Sequence, residues 1–139
     1  MEKVAFRFNN YYFTRAKIEF PTQSERNLDL NVKFIPKGEF IKNDSIFNLY
    51  LTVIISSSKD GVETNFVEVN CFSEFIFSEQ INLCDIPGFF YPNSIAIIFP
   101  YIRAFISTLS LQANMNPIIL PTMNLTSLQE ELKNNTTEK

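Results

Sequence analysis

Apolar positions in the first half of the chain recur at every second residue, the period at which a strand gives one set of side chains to a core and the other to solvent. Phe6 and Phe8 open the pattern, and residues 13–20 continue it as a second or bent piece ending at Pro21. A polar loop at 22–27 follows. Leu28, Leu30, Val32 and Phe34 then alternate with Asp29, Asn31 and Lys33, which predicts a half-buried strand stopped by Pro36-Lys37-Gly38. The strongest hairpin signal joins residues 46–56 to 62–77 through a turn where Asp60-Gly61 supplies a positive φ. Phe47, Leu49, Leu51, Val53 and Ile55 share one face of the first arm, with Tyr50 and Ile54 on the other. On the second arm Val67, Val69 and Cys71 alternate before Phe75 and Phe77, and a bulge is expected near Phe72-Ser73.

After Asp85-Ile86-Pro87-Gly88 the period becomes helical, with Ile95, Ile98, Phe99, Ile102, Ile106 and Leu109 on one stripe and Ile97, Tyr101, Ala104, Phe105 and Thr108 on a neighbouring one. A helix on a single sheet needs one such stripe, so the second calls for another cover. The expected cover is a second subunit, which makes Ile97, Tyr101, Phe105 and Thr108 the expected oligomer interface; burial under the chain's own loop and tail is the alternative. Pro100 either kinks the helix or falls in the first turn of a helix starting near Phe99, where a missing N–H costs little. Residues 114–123, with Pro117 and Pro121, read as an extended apolar connector. Thr126-Ser127-Leu128-Gln129 reads as a capping box opening a short helix lined by Leu125, Leu128 and Leu132. The polar residues 134–139 are expected to form a disordered tail. The whole, residues 1–139, is expected to be a single α+β domain with no linker to divide it.

Composition narrows the function more than the fold. Fifteen Phe and five Tyr, beside no Trp and three Gly, are more ring surface than so small a domain easily buries, so some is expected outside. There is no histidine and there are two cysteines, which removes Ser-His and Cys-His catalysis and most transition-metal sites. No phosphate loop, paired catalytic carboxylates or nucleophile elbow is present, so neither an enzyme nor a cofactor nor a metal is expected. Cys71 and Cys84 read as buried small apolar groups. Residues 1–42 carry eight Lys/Arg against five Asp/Glu, the remainder four against ten, and no cation falls between 61 and 102. That distribution argues against nucleic acid. Glu63, Glu68, Glu74, Glu79 and Asp85 are either a solvated strand face or an acidic patch for a basic partner. The apolar stretch 89–102 holds two prolines and an Asn and is shorter than the roughly 20 residues of a span. No cleavable signal is recognisable at the start, and a soluble, cytoplasmic protein without membrane insertion is expected.

Function is therefore sought in a surface. Ile118-Ile119-Leu120 in the connector, Met115 and Met123 beside them, and a leucine-lined last helix describe an apolar groove with a mobile lid, suited to extended peptides of varied sequence. For any one of these residues, ordinary packing over the sheet edge is the alternative.

The order Pro92-Asn93, Phe99-Pro100-Tyr101-x-Arg103-x-x-Ile106-Ser107, Pro117-x-x-Leu120 and Asn124-Leu125-x-x-Leu128 resembles the helical half of the SecB export-chaperone family. Val32-Lys33-Phe34, the long hairpin and Glu63-Thr64-x-Phe66 resemble its strand half, so the likeness spans residues 4–133. It implies a four-stranded antiparallel sheet packed by one long helix and a short C-terminal helix, assembled as a homotetramer, a dimer of dimers. It further implies an ATP-independent holdase that binds unfolded client proteins, with Val32 and Phe34 on the strand and Leu125, Leu128 and Leu132 on the lid contacting the client, joined by Ile118, Ile119 and Leu120. The segment between Asn93 and Phe99 is about one helical turn longer than in the family. The acidic positions that contact the SecA motor are not clearly kept, since the second strand reads Arg15-Ala16-Lys17-Ile18, and Glu68 is the one plausible match. Protein export through SecA is one pathway this implies. A chaperone dedicated to an antitoxin in a toxin-antitoxin system is the alternative within the fold, and a non-chaperone adaptor the alternative outside it.

Overall fold

In the computed structural model residues 4–20, 30–59, 61–122 and 124–139 are described; Pro21, the loop at 22–27, Leu28, Asp29, Asp60 and Met123 lie outside them. The alternating half forms four long strands, β1 (Phe6–Ile18), β2 (Asn31–Ile41), β3 (Ile46–Lys59) and β4 (Val62–Phe77). They stand in the order β1-β4-β3-β2 with every neighbour antiparallel. The strand β1 is one bent piece, with register shifts between Phe8 and Asn10 and between Phe13 and Arg15. The first shift changes the parity, so that Phe6, Phe8, Tyr11 and Phe13 all pack toward the core. Lys59 pairs with Val62 across the hairpin, and Gly61 has the positive φ, 77°, that the turn requires.

The bulge expected near Phe72-Ser73 is not there. Val67, Val69, Cys71, Ser73, Phe75 and Phe77 keep one parity and are all buried, Ser73 occupying an inward position because its hydroxyl donates to the Leu49 carbonyl (3.3 Å). The register shift falls at Phe66 instead, opposite Ile55 and Ser56.

Pro36-Lys37-Gly38 does not stop β2 either, since Pro36 pairs with Leu51 and Gly38 with Leu49. The Gly38 amide donates outward to the Asn135 carbonyl (3.2 Å) and the Pro36 carbonyl accepts from Asn135 Nδ2 (3.2 Å). Residues two apart on a strand point their main-chain groups the same way. The N–H that proline lacks would therefore face the edge, and the ladder to β3 loses nothing.

A fifth strand, β5 (Thr136–Glu138), lies parallel to β2, with Gly38, Glu39 and Phe40 opposite Thr136, Thr137 and Glu138. The sheet is consequently five-stranded and mixed rather than four-stranded and antiparallel, and the polar end of the chain is ordered where a disordered tail was expected. The reason is main-chain bonding to an available edge, Lys139 N–H to the Phe40 carbonyl (2.8 Å), with a Lys139–Glu39 ion pair (3.2 Å). Gly38 permits it: a Cβ there would lie 2.6 Å from Thr136 Oγ1 and would also strike the Phe47 ring.

Both helices, α1 (Phe90–Gln112) and α2 (Leu125–Asn134), pack on one face of the sheet. At the start of α1, Phe90 sits among Phe6, Phe47, Phe75 and Phe77 at centroid distances of 4.9, 4.7, 5.6 and 4.9 Å. Each such buried ring contributes about 1.5–3 kcal/mol. The helix begins ten residues before Pro100, which therefore lies inside it and not in a first turn. Pro100 and Ala96, whose carbonyl loses its partner, are both exposed, so water reaches the freed group. At 23 residues the helix is long and apolar enough to cross a membrane by length and composition, where the stretch 89–102 had been read as too short.

Candidate functional site

Apolar surface left exposed among the described residues includes Tyr101 and Leu111 on the outer side of α1, Ile119 in the connector and Leu30 beside β2, with Tyr12, Val62 and Phe89 exposed elsewhere. On α1 the residues Ile95, Ile98, Ile102 and Ile106 are fully buried on the sheet. The expected oligomer-interface residues divide. Tyr101 lies against Phe8 and Tyr11 (5.8 and 4.4 Å) and Phe105 stacks on Phe13 (4.0 Å), so β1 of the same chain covers one flank of the second stripe. Tyr101 is nonetheless 41% exposed, Ile97 is half-buried, and Ala104 and Thr108 are exposed. Only the outer part of that stripe is thus left uncovered by the chain's own described residues.

The connector is tied to the end of α1 by hydrogen bonds. The helix α1 ends at Gln112 with Asn114 in the left-handed region (φ 59°), and the N–H groups of Asn114 and Met115 reach back to the carbonyls of Leu111 and Ser110 (2.9 and 3.0 Å). Ser107 Oγ then donates to the Ile118 carbonyl (2.8 Å), and the Ile118 N–H donates to Ser110 Oγ (2.9 Å). Ser110 is itself fully buried. These two bonds turn Ile118 and Leu120 inward, at 8% and 1% exposure, and leave Ile119 between them 64% exposed.

On α2 the cap is Asn124, whose side chain accepts from the Thr126 and Ser127 amides (3.1 and 3.3 Å), not the expected Thr126 box. Leu128 and Leu132 are buried and Leu125 is half-buried. Of the eight residues expected to contact a client, Ile118, Leu120, Leu128 and Leu132 are thus core residues of this chain, and Val32, Phe34, Leu125 and Ile119 keep accessible surface.

Phe99 brings Phe34 and Ile119 into one surface. Its ring lies 6.0 Å from Phe34, and it forms one wall of an open depression of about 410 Å³ completed by Pro100, Arg103, Ala104, Ser107 and Ile119. The helical stripe had assigned Phe99 to the core, and the structure leaves it half-buried. The lining is apolar apart from the Ser107 hydroxyl and the single cation Arg103, which suits a peptide better than a small charged ligand.

The opposite face of the sheet carries Glu68, the match to a SecA-contacting position. Its carboxylate pairs with Arg15 (3.1 Å), with Lys17 opposite it in the register. Burial pushes the Cys71 thiol up to about 12, whereas Cys84 is exposed, against the expectation that both are buried. Cys84 sits in a polar 3₁₀ turn (Leu83–Asp85) whose capping box holds it at the surface. Among the described residues no three His, Cys, Asp or Glu side chains come together as metal ligands.

This architecture defines the class as SecB-like in fold. The Mycobacterium tuberculosis Rv1957 SecB-like chaperone, solved in complex with a ChAD peptide from the Rv1956 HigA1 antitoxin, superposes with a TM-score of 0.67 at 12% identity, covering 86% of this chain and 91% of that one. A protein of unknown function from Streptococcus agalactiae aligns at a TM-score of 0.47 and 8% identity, over 87% of this chain and all of that one. No protein-family model matches the sequence. By sequence the chain belongs to the family of the uncharacterized protein MJ0357 of Methanocaldococcus jannaschii, with 35% identity over 149 aligned positions that take in 99% of this chain and 92% of the relative.

Proposed function

We propose that the protein is an ATP-independent holdase chaperone that binds extended segments of other polypeptides along the surface from Phe34 through Phe99 to Ile119. The observation that carries this reading is an apolar strip left open beside a closed core, on a fold shared with a SecB-like chaperone solved with a peptide bound. Burying apolar client side chains there is worth about 25 cal/mol per Å², and ordering the client opposes much of it, so a single site holds weakly. A homotetramer assembled through the outer side of α1 supplies several sites on one particle and makes later contacts intramolecular. The seating of Ile95, Ile98, Ile102 and Ile106 on the sheet supports a core helix rather than a membrane span, and a cytoplasmic location is part of the proposal.

Between pathways, the antitoxin peptide in the Rv1957 complex supports a dedicated antitoxin client. The neutralised Glu68 gives less support to export through SecA. A non-chaperone adaptor would bind one folded partner instead. The test is aggregation of a denatured model protein, followed by light scattering at stoichiometric amounts. The unmodified chain is expected to suppress it, and Phe34→Asp with Ile119→Asp to lose most of that effect at unchanged native mass. Full activity in the double variant would exclude this surface.

A further inference from the structure

The helix α2 hides Leu128 and Leu132, at 7% and 0% exposure. It has ten residues, and a helix shorter than about 12–15 residues is marginal in water without contacts to hold it. The end of α2 is fixed by one residue that serves helix and sheet together. The Asn135 N–H donates to the Glu131 and Leu132 carbonyls (3.0 and 3.2 Å) and closes the last turn. The carbonyl of the same residue accepts from the Gly38 N–H (3.2 Å), and its Nδ2 donates to the Pro36 carbonyl (3.2 Å). Thr136 Oγ1 adds a bond back to the Leu132 carbonyl (2.6 Å). Beyond it the Lys139 N–H donates to the Phe40 carbonyl (2.8 Å), and the Lys139 ammonium pairs with Glu39 (3.2 Å). The last turn of α2 and β5 are thus one continuous piece fastened to β2 from Pro36 to Phe40.

What fastens it is polar. The sequence of β5, Thr-Thr-Glu, brings no apolar side chain to the sheet, and Thr137, Glu138 and Lys139 are exposed. Hydrogen bonds and an ion pair at an exposed edge exchange with water at small net cost, so such a segment opens locally while the core stays folded. We infer that residues 135–139 are a clasp that holds α2 closed, and that its release lets α2 lift so that Leu128 and Leu132 extend the surface formed by Phe34, Phe99 and Ile119. The inference rests on the holdase reading and adds its regulation. In the clasped state the two leucines are withheld from chance contacts. An apolar client that covers them binds the lifted state better and shifts the population toward it, so that client and clasp compete for the same helix.

The experiment uses the full chain and a fluorophore-labelled, reduced and alkylated polypeptide as the unfolded probe. Asn135→Ala with Lys139→Pro deletes the bonds to the Pro36 and Phe40 carbonyls at two exposed residues. Hydrogen exchange at the Leu132 amide is expected to speed about tenfold or more and at Ile102 to stay within about twofold. Probe binding is expected to tighten about threefold to tenfold, since affinity follows the fraction of chains in the competent state. Unchanged exchange at Leu132 means that the clasp does not hold α2, and faster exchange with equal or weaker probe binding means that α2 is not a gate. Either result overturns the inference and leaves the holdase reading standing, whereas no probe binding by either protein overturns both. Should the variant not fold, a lock decides. Glu39 and Thr137 are register partners, so Glu39→Cys with Thr137→Cys in a Cys84→Ser background places two thiols for closure by oxidation. The oxidised protein is expected to bind the probe at least about threefold more weakly than the same protein after reduction; equal binding overturns the inference.

Discussion

On its sheet side α1 presents Ile95, Ile98, Ile102 and Ile106 with no exposure at all, whereas Leu111 on its far side is 56% exposed and Ala104, Thr108 and Pro100 are open as well. The first face is saturated by contacts within one chain; the second, partly apolar, is not. Isoleucine gains little as a helix former, so four of them in one stripe reflect the shape of the sheet beneath. The far side combines small and apolar residues beside the Phe99–Ile119 depression, so assembly and capture are to be sought there.

The largest difference between the faces should appear in stability. Ile102→Ala is expected to cost about 2–5 kcal/mol in urea unfolding, and Leu111→Ala to stay within about 0.5 kcal/mol in a dilute sample. Similar losses would mean that the far face is packed. Next comes the anchor of the connector. Ser110→Ala strands the buried Ile118 N–H and is expected to cost about 1–3 kcal/mol, with faster hydrogen exchange at Ile118; no change at that amide would show that Ser110 does not hold the loop.

The smallest effect is in pH dependence. An unfolded cysteine thiol ionises near 8.5, while Cys71 in the fold is pushed up to about 12 by burial. The unfolded state therefore loses its proton first, and stability should fall as pH rises from about 8.5 toward 12, a slope that Cys71→Ala reduces most below about pH 10, where Tyr50 and Tyr91, also pushed up by burial, do not yet contribute. At pH 8 a thiol reagent should label Cys84 in the native protein and Cys71 only after unfolding; native labelling of both would contradict the burial of Cys71.

The elements whose side chains alternate or recur helically were legible in the sequence: the hairpin around Gly61, the bent β1, and the inner stripe of α1. What failed was set by the backbone or by position in the sheet. Whether Pro36 ends a strand depends on which side its missing N–H faces, and β5 forms through main-chain bonds that Thr-Thr-Glu does not announce. Ser73 was read as a break in phase because its partner, the Leu49 carbonyl, is distant in sequence. At the candidate site, Val32, Phe34, Leu125 and Ile119 were foreseen and keep accessible surface. Leu128, Leu132, Ile118 and Leu120 were read as surplus because the packing of α2 and the two serine bonds that fold the connector inward were invisible. The outward flank of Phe99 emerges only once Phe34 and Ile119 are brought beside it.

The claim beneath this account is that the open strip grips polypeptide in its extended state. Its most direct test is calorimetric titration of the full chain with one polypeptide in two forms, natively folded and permanently unfolded by reduction and alkylation. Heat and saturable binding with the unfolded form alone is the predicted result; no binding to either, or equal binding to both, would contradict it.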